Sequence, residues 1–193
     1  EMFLGIDSII AGMFYRYIQY KYISTDEIEK QYGSTVAQIA SGAARIGKLS
    51  KTKMQYHADY FIQLVLTLVN DPRSILIMLS EQLDKMRNYR KLPDNVKEKI
   101  LNEIFYLYAP IAHRLGLYAI KRELEELWLK FAHYESYREI ANKLAAKKNE
   151  RGEFITGFIT PLKKTIQSAG ISCDIKGRPK SIYSIWKKMN TQN

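Results

Sequence analysis

Apolar side chains recur every three or four positions through most of the chain, the period of helices that bury one face. The pattern predicts helices over Ser8–Tyr20, Thr25–Tyr32, Ser34–Ile46, Lys53–Val69, Ser74–Arg90, Asp94–His113, Leu117–Phe131, Ser136–Lys148 and Glu153–Ser168. Thr25-Asp26-Glu27-Ile28 reads as a helix start, Gly33 as a stop and Pro93-Asp94 as a turn into a helix. Pro110 and Pro161 are expected to bend or break their helices. In Leu117–Phe131 the residues Ile120, Leu124, Leu127, Trp128 and Phe131 form one apolar stripe, the mark of a packing helix.

The period changes after Ala169-Gly170. Ile171 to Ile175 alternates apolar and polar residues as a strand does, Gly177 marks a turn, and Pro179 suits the first position of a helix. If Pro179 opens that helix, Lys180, Ser184 and Lys188 share one face while Ile182, Ile185, Trp186 and Met189 share the opposite one. With Arg178 at its mouth such a face could cradle a polyphosphate, since a helix N-terminus favours anions and a guanidinium adds paired donors. A solvated basic face is the alternative reading, and no Gly-x-x-x-x-Gly-Lys-Ser/Thr loop is present.

Charge sharpens this picture. The net charge is +10, and residues 141–193 hold 11 basic and 3 acidic residues, so the basic character belongs to the last third, where it could serve nucleotide phosphates, RNA or solubility. Cys173 is the only cysteine, which excludes a disulfide framework and points to a reducing compartment. The longest apolar run, Phe61 to Val69, contains Gln63 and Thr67 and is too short to span a bilayer, so the expectation is a cytoplasmic protein with no membrane partner. The chain begins with Glu1 and ends five residues after Lys188, and it is expected to be incomplete.

Gly177-Arg178-Pro179-Lys180-Ser181-Ile182-Tyr183-Ser184-Ile185 resembles the opening of the synthetase domain of the RelA/SpoT homologues, which make and hydrolyse the alarmones ppGpp and pppGpp. A second block, Tyr108-Ala109-Pro110-Ile111-Ala112-His113-Arg114-Leu115-Gly116 followed by Ile120 to Leu127, is similar to the same family and stands in the family's order. The resemblance implies that Arg178, Lys180, Ser184 and Lys188 hold ATP phosphates. It also implies a longer connector near Lys51–Tyr56 than this sequence has.

The family's hydrolases hold manganese with a His, an adjacent His-Asp pair and a later Asp, and a Glu-Asp pair handles the attacking water. No His-Asp dipeptide occurs here. By resemblance, Tyr15-Arg16 stands where His-Asp should, Gln19-Tyr20 where Glu-Asp should, Glu81 at the later Asp and Lys85 at a substrate-contacting Asn. A guanidinium about 4 Å from a divalent ion would repel it by roughly 8 kcal/mol at an effective dielectric of about 20, so no metal is expected. Glu81 should pair with Lys85 one turn later, and Arg16 with Glu81 or Asp84. His57, His113 and His133 lie on different elements, with His113 packing near a helix end and the other two read as surface residues.

These readings imply a mainly α fold. An HD-domain-like degenerate hydrolase bundle would occupy residues 1–132, a helical connector 133–170, and the truncated first strand and helix of an α/β nucleotidyltransferase-like domain 171–193. The resemblance implies a parent enzyme, a GTP pyrophosphokinase, that transfers pyrophosphate from ATP to GDP or GTP with magnesium. The fragment itself is expected to be silent, with no cofactor and no catalytic residue of its own. The alternatives are a regulatory pseudo-hydrolase contacting a partner or the synthetase domain, and an RNA- or ribosome-binding module. The last needs exposed aromatics among basic side chains, for which Tyr183 is the candidate.

Overall fold

The structure is a computed structural model that describes residues 5–49, 63, 65, 67 and 69–191. The described residues form helices and no strands. They group into two compact units, Glu1–Leu127 and Trp128–Asn193. Most of the expected helix over Lys53–Val69, His57 and the connector near residues 51–56 lie outside the described residues.

In the first unit, helix α1 (Ile6–Gln19), α2 (Thr25–Tyr32), α3 (Ser34–Leu49) and α4 (Arg73–Arg87) build the scaffold of the candidate site. A reciprocal capping box starts α2: Glu27 N–H donates to Ser24 Oγ at 3.2 Å, and Ser24 N–H donates to a Glu27 carboxylate oxygen at 2.8 Å. Gly33 ends α2 at φ +89°, a conformation other residues adopt only with strain. Small side chains then set the spacing of α3, whose Ala37, Ala40, Ala43 and Ala44 are buried. A Cβ at Gly42 would stand 2.5 Å from Ser74 Oγ on α4, and one at Gly47 would stand 2.7 Å from Gln19 Nε2 on α1. Ser74 Oγ donates to the Ile39 carbonyl at 2.8 Å, tying α4 to α3. This close packing against α3 brings the inner faces of α1 and α4 together.

The expected Asp94–His113 helix is one continuous run of three segments: α5 (Asp94–Glu103), a π-helical stretch (Ile104–Tyr108) and α6 (Ala109–Arg114). Pro110 does not break it. It sits in the first turn of α6, just after the wide π turn, where its missing N–H leaves little unsatisfied. Helix α7 (Tyr118–Ala132) follows, where Leu117–Phe131 was expected.

The second unit begins within the last turns of α7 and contains α8 (Tyr134–Ala146), α9 (Lys148–Ser168) and α10 (Ile182–Thr191). Two expectations are corrected. Pro161 lies inside α9 without interrupting it; the carbonyl its ring would crowd belongs to Gly157, whose missing side chain leaves that carbonyl free to tilt. Residues 171–181 form neither the expected strand nor a helix opening at Pro179; a strand needs a ladder partner, and the described residues supply none. Gly177 instead rests on α9, where a Cβ would stand 2.5 Å from Ile155 Cγ2 and 3.1 Å from Ile159 Cδ1. Glycine is needed there for close approach.

Candidate functional sites

Tyr15 and Arg16, neighbours on α1, face Glu81 and Lys85 on α4. The Tyr15 hydroxyl donates to Glu81 Oε2, and the Arg16 guanidinium donates to Glu81 Oε1. Arg16 Nε also donates to the Tyr15 oxygen at 3.2 Å. Lys85 Nζ lies 2.5 Å from Glu81 Oε1. The two ion pairs expected of Glu81 are therefore both present, whereas Asp84 turns instead to Asn88, whose amide donates to it at 3.1 Å.

Arg16, Glu81 and Lys85 border a cavity of about 370 Å³ that includes Gln19, Tyr20, Lys99 and Glu103 among its polar walls and Met78, Val96 and Ile100 among its apolar ones. Lys99 and Glu103 form a looser pair at 3.7 Å. Burial pushes the Tyr15 hydroxyl above its ordinary range, against the opposing pull of Arg16. Burial, with the Arg16 guanidinium alongside, pulls the Lys85 ammonium down to about 8. Glu103 and Tyr20 pull the other way without restoring it. Gln82, two per cent exposed, keeps a buried side-chain oxygen beside the cavity that has no hydrogen-bond partner among the described residues.

The donor set does not fit a divalent metal. Both Glu81 oxygens are committed to protein donors, two of which carry positive charge. Among the described residues no three His, Cys, Asp or Glu side chains gather as a metal would require. His113 lies in α6 with its ring 5.8 Å from that of Tyr118.

The basic motif is arranged differently from expectation. Helix α10 starts at Ile182, so Ser184 and Lys188 lie on it one turn apart, while Arg178 and Lys180 stand on the irregular approach and are exposed. The helix start belongs to Ser181, a residue sequence reasoning passed over in favour of Pro179. Ser184 N–H donates to Ser181 Oγ at 3.2 Å, Ile185 N–H donates to the Ser181 carbonyl at 3.1 Å, and the two serine hydroxyls lie 2.8 Å apart. The spacing Ser-x-x-Ser was the available signal. Tyr183 is only six per cent exposed, which removes it as a base-stacking candidate.

Residues 2–118 match the HD domain family. The chain is 33% identical, over 96% of its length, to a guanosine-3′,5′-bis(diphosphate) 3′-pyrophosphohydrolase of Aquifex aeolicus. It is 32% identical, over 98% of its length, to the bifunctional (p)ppGpp synthase/hydrolase SpoT of Escherichia coli K12. A GTP pyrophosphokinase of Photobacterium angustum is 29% identical over 98% of this chain. The matches cover 26%, 27% and 27% of the Photobacterium, Aquifex and Escherichia proteins, so the chain spans about a quarter of these relatives. Among the described residues no helix is long and apolar enough to cross a membrane.

Proposed function

We propose, because this chain belongs to the RelA/SpoT branch of the HD-domain family, that it carries a hydrolase fold without hydrolase chemistry, joined to the ATP-side opening of an alarmone synthetase. The observation that carries the first half is the surrounding of Glu81 by Tyr15, Arg16 and Lys85. A metal-dependent hydrolase needs an open coordination sphere and a base for the attacking water. Here the one carboxylate at the centre is filled by the protein's own cations, and Gln19 and Tyr20 stand where the resemblance asks for acids. The purified chain incubated with ppGpp and manganese should release no pyrophosphate above a metal-free blank. Release well above that blank overturns this reading.

In the whole protein Arg178, Lys180, Ser184 and Lys188 bind ATP phosphates for transfer of pyrophosphate to GDP or GTP. The first pair stands on the irregular approach, Ser184 in the first turn of α10 and Lys188 in its last. A charge-assisted phosphate contact is worth about 1.5–3 kcal/mol, so Lys188→Ala in the whole protein should lower synthesis about tenfold or more. Lys187→Ala, pointing off that face, should leave it nearly unchanged. The reverse outcome removes the phosphate role.

A further inference from the structure

The side of α10 opposite Ser184 and Lys188 is held by a cluster of four rings. Trp186 stacks on His133 with centroids 5.1 Å apart and planes at 30°, and meets Trp128 edge-on at 5.7 Å and Tyr183 at 5.9 Å. Trp128 also meets His133 at 5.3 Å and Tyr183 at 6.1 Å. Trp128 and Tyr183 are buried, while the other face of His133 is open to solvent.

With about 100° of rotation per residue, Tyr183 and Trp186 lie on average about 150° around the helix from Ser184 and Lys188. A helix of 10 residues depends on tertiary packing for its stability, and α10 packs on α8 and through this ring face. His133 is a firm anchor for it. Its N–H donates to the Leu129 carbonyl at 2.9 Å and its carbonyl accepts from Tyr137 N–H at 3.0 Å, so its backbone is bonded into the helices on both sides.

We infer that His133 and Trp186 are positioning residues, whose stack sets the roll of α10 and thereby aims Ser184 and Lys188 at the phosphates. This rests on the phosphate-binding role proposed above. A rolled helix displaces the Lys188 ammonium without removing it, so the loss falls on ATP alone and not on the acceptor nucleotide.

The test is steady-state synthesis by the full-length protein, varying ATP at saturating GTP and then the reverse, for His133→Ala, His133→Phe, Trp186→Phe and Lys188→Ala. His133→Ala should raise the KM for ATP about fivefold or more, leave the KM for GTP unchanged and leave the unfolding midpoint unchanged. His133→Phe and Trp186→Phe keep a stackable ring and should stay within about twofold of the parent. If His133→Ala leaves the KM for ATP unchanged while Lys188→Ala raises it, the positioning role is wrong and the phosphate role stands. If Lys188→Ala is itself silent, both are wrong. A rise in both KM values, or failure of the phenylalanine variant to rescue, marks a general packing role and overturns the inference.

Discussion

Glu81 and Lys85 sit one turn apart on the same helix with 2.5 Å between carboxylate and ammonium, yet that ammonium is easier to deprotonate than an ordinary lysine. The first cause is burial of the ammonium, and the Arg16 guanidinium, paired with the same carboxylate, adds its own repulsion. Removing the anion should therefore hurt far more than removing the lysine. Glu81→Gln leaves two neighbouring cations without a counter-charge and should cost about 2–4 kcal/mol, while Lys85→Met should cost under about 1 kcal/mol. Urea unfolding of the two variants checks this order, and equal costs would contradict it.

The same lysine gives stability a pH dependence of known sign. Its proton affinity is lowered on folding, from an ordinary value of 10.5 to about 8. Between these values the unfolded chain holds a proton that the folded chain has released, so stability rises with pH across that window, at up to about 1.4 kcal/mol per unit. Below about pH 8 both states hold the proton and the contribution is flat. Tyr15, shifted upward, acts in the opposite direction only above its ordinary value of 10.0. Chemical denaturation at about pH 7.5, 8.5 and 9.5 should show this rise, and Lys85→Met should abolish it.

Gly177→Ala should destabilise the second unit by about 1–3 kcal/mol, because the new Cβ meets Ile155 at 2.5 Å and Ile159 at 3.1 Å. Shortening Ile155 to Val in the same chain should recover part of the loss by making room. Thermal unfolding of the single and double variants measures both effects.

Pro161→Ala should act in the opposite direction. The position is exposed and inside a continuous helix, so alanine restores a backbone hydrogen bond at no packing cost and should add about 1–3 kcal/mol. A rise in the unfolding midpoint of several degrees is the expected readout, and a fall would mean that the helix is not regular at that point.

The helical periodicity of the first unit was legible because each helix buries one face. Thr25–Tyr32 was read with both its ends, helped by the glycine at 33. The pairing of Glu81 with Lys85 was legible from helical spacing, while Arg16 was left between Glu81 and Asp84, because spacing along one helix says nothing of a partner on another. The π turn at Ile104–Tyr108 was not legible, because a one-residue widening hardly disturbs an apolar stripe. At the start of α10 two local signals competed. Pro179 is compatible with a first helical position, but Ser181 offers a hydroxyl to Ser184 N–H, and a made hydrogen bond outweighs a merely tolerated ring. The ring cluster around Trp186 was illegible because it joins residues more than fifty positions apart, and His133, read as a surface residue, proved to be exposed on one side and stacked on the other.

The three-donor arrangement around Glu81 also bears on what this fold can become by small steps. Changing Arg16 to an acid, a first move toward a metal-binding set, would leave two adjacent carboxylates with only Lys85 between them and no ion yet able to bind. Changing Tyr15 to histidine first would withdraw a buried donor from Glu81 and place a third titratable cation beside two others. Each single step descends in stability before any coordination is gained, so the path to a metal centre is a valley that several simultaneous substitutions would have to cross. On the function proposed here, what keeps the site from acquiring hydrolysis is the cost of folding the intermediates.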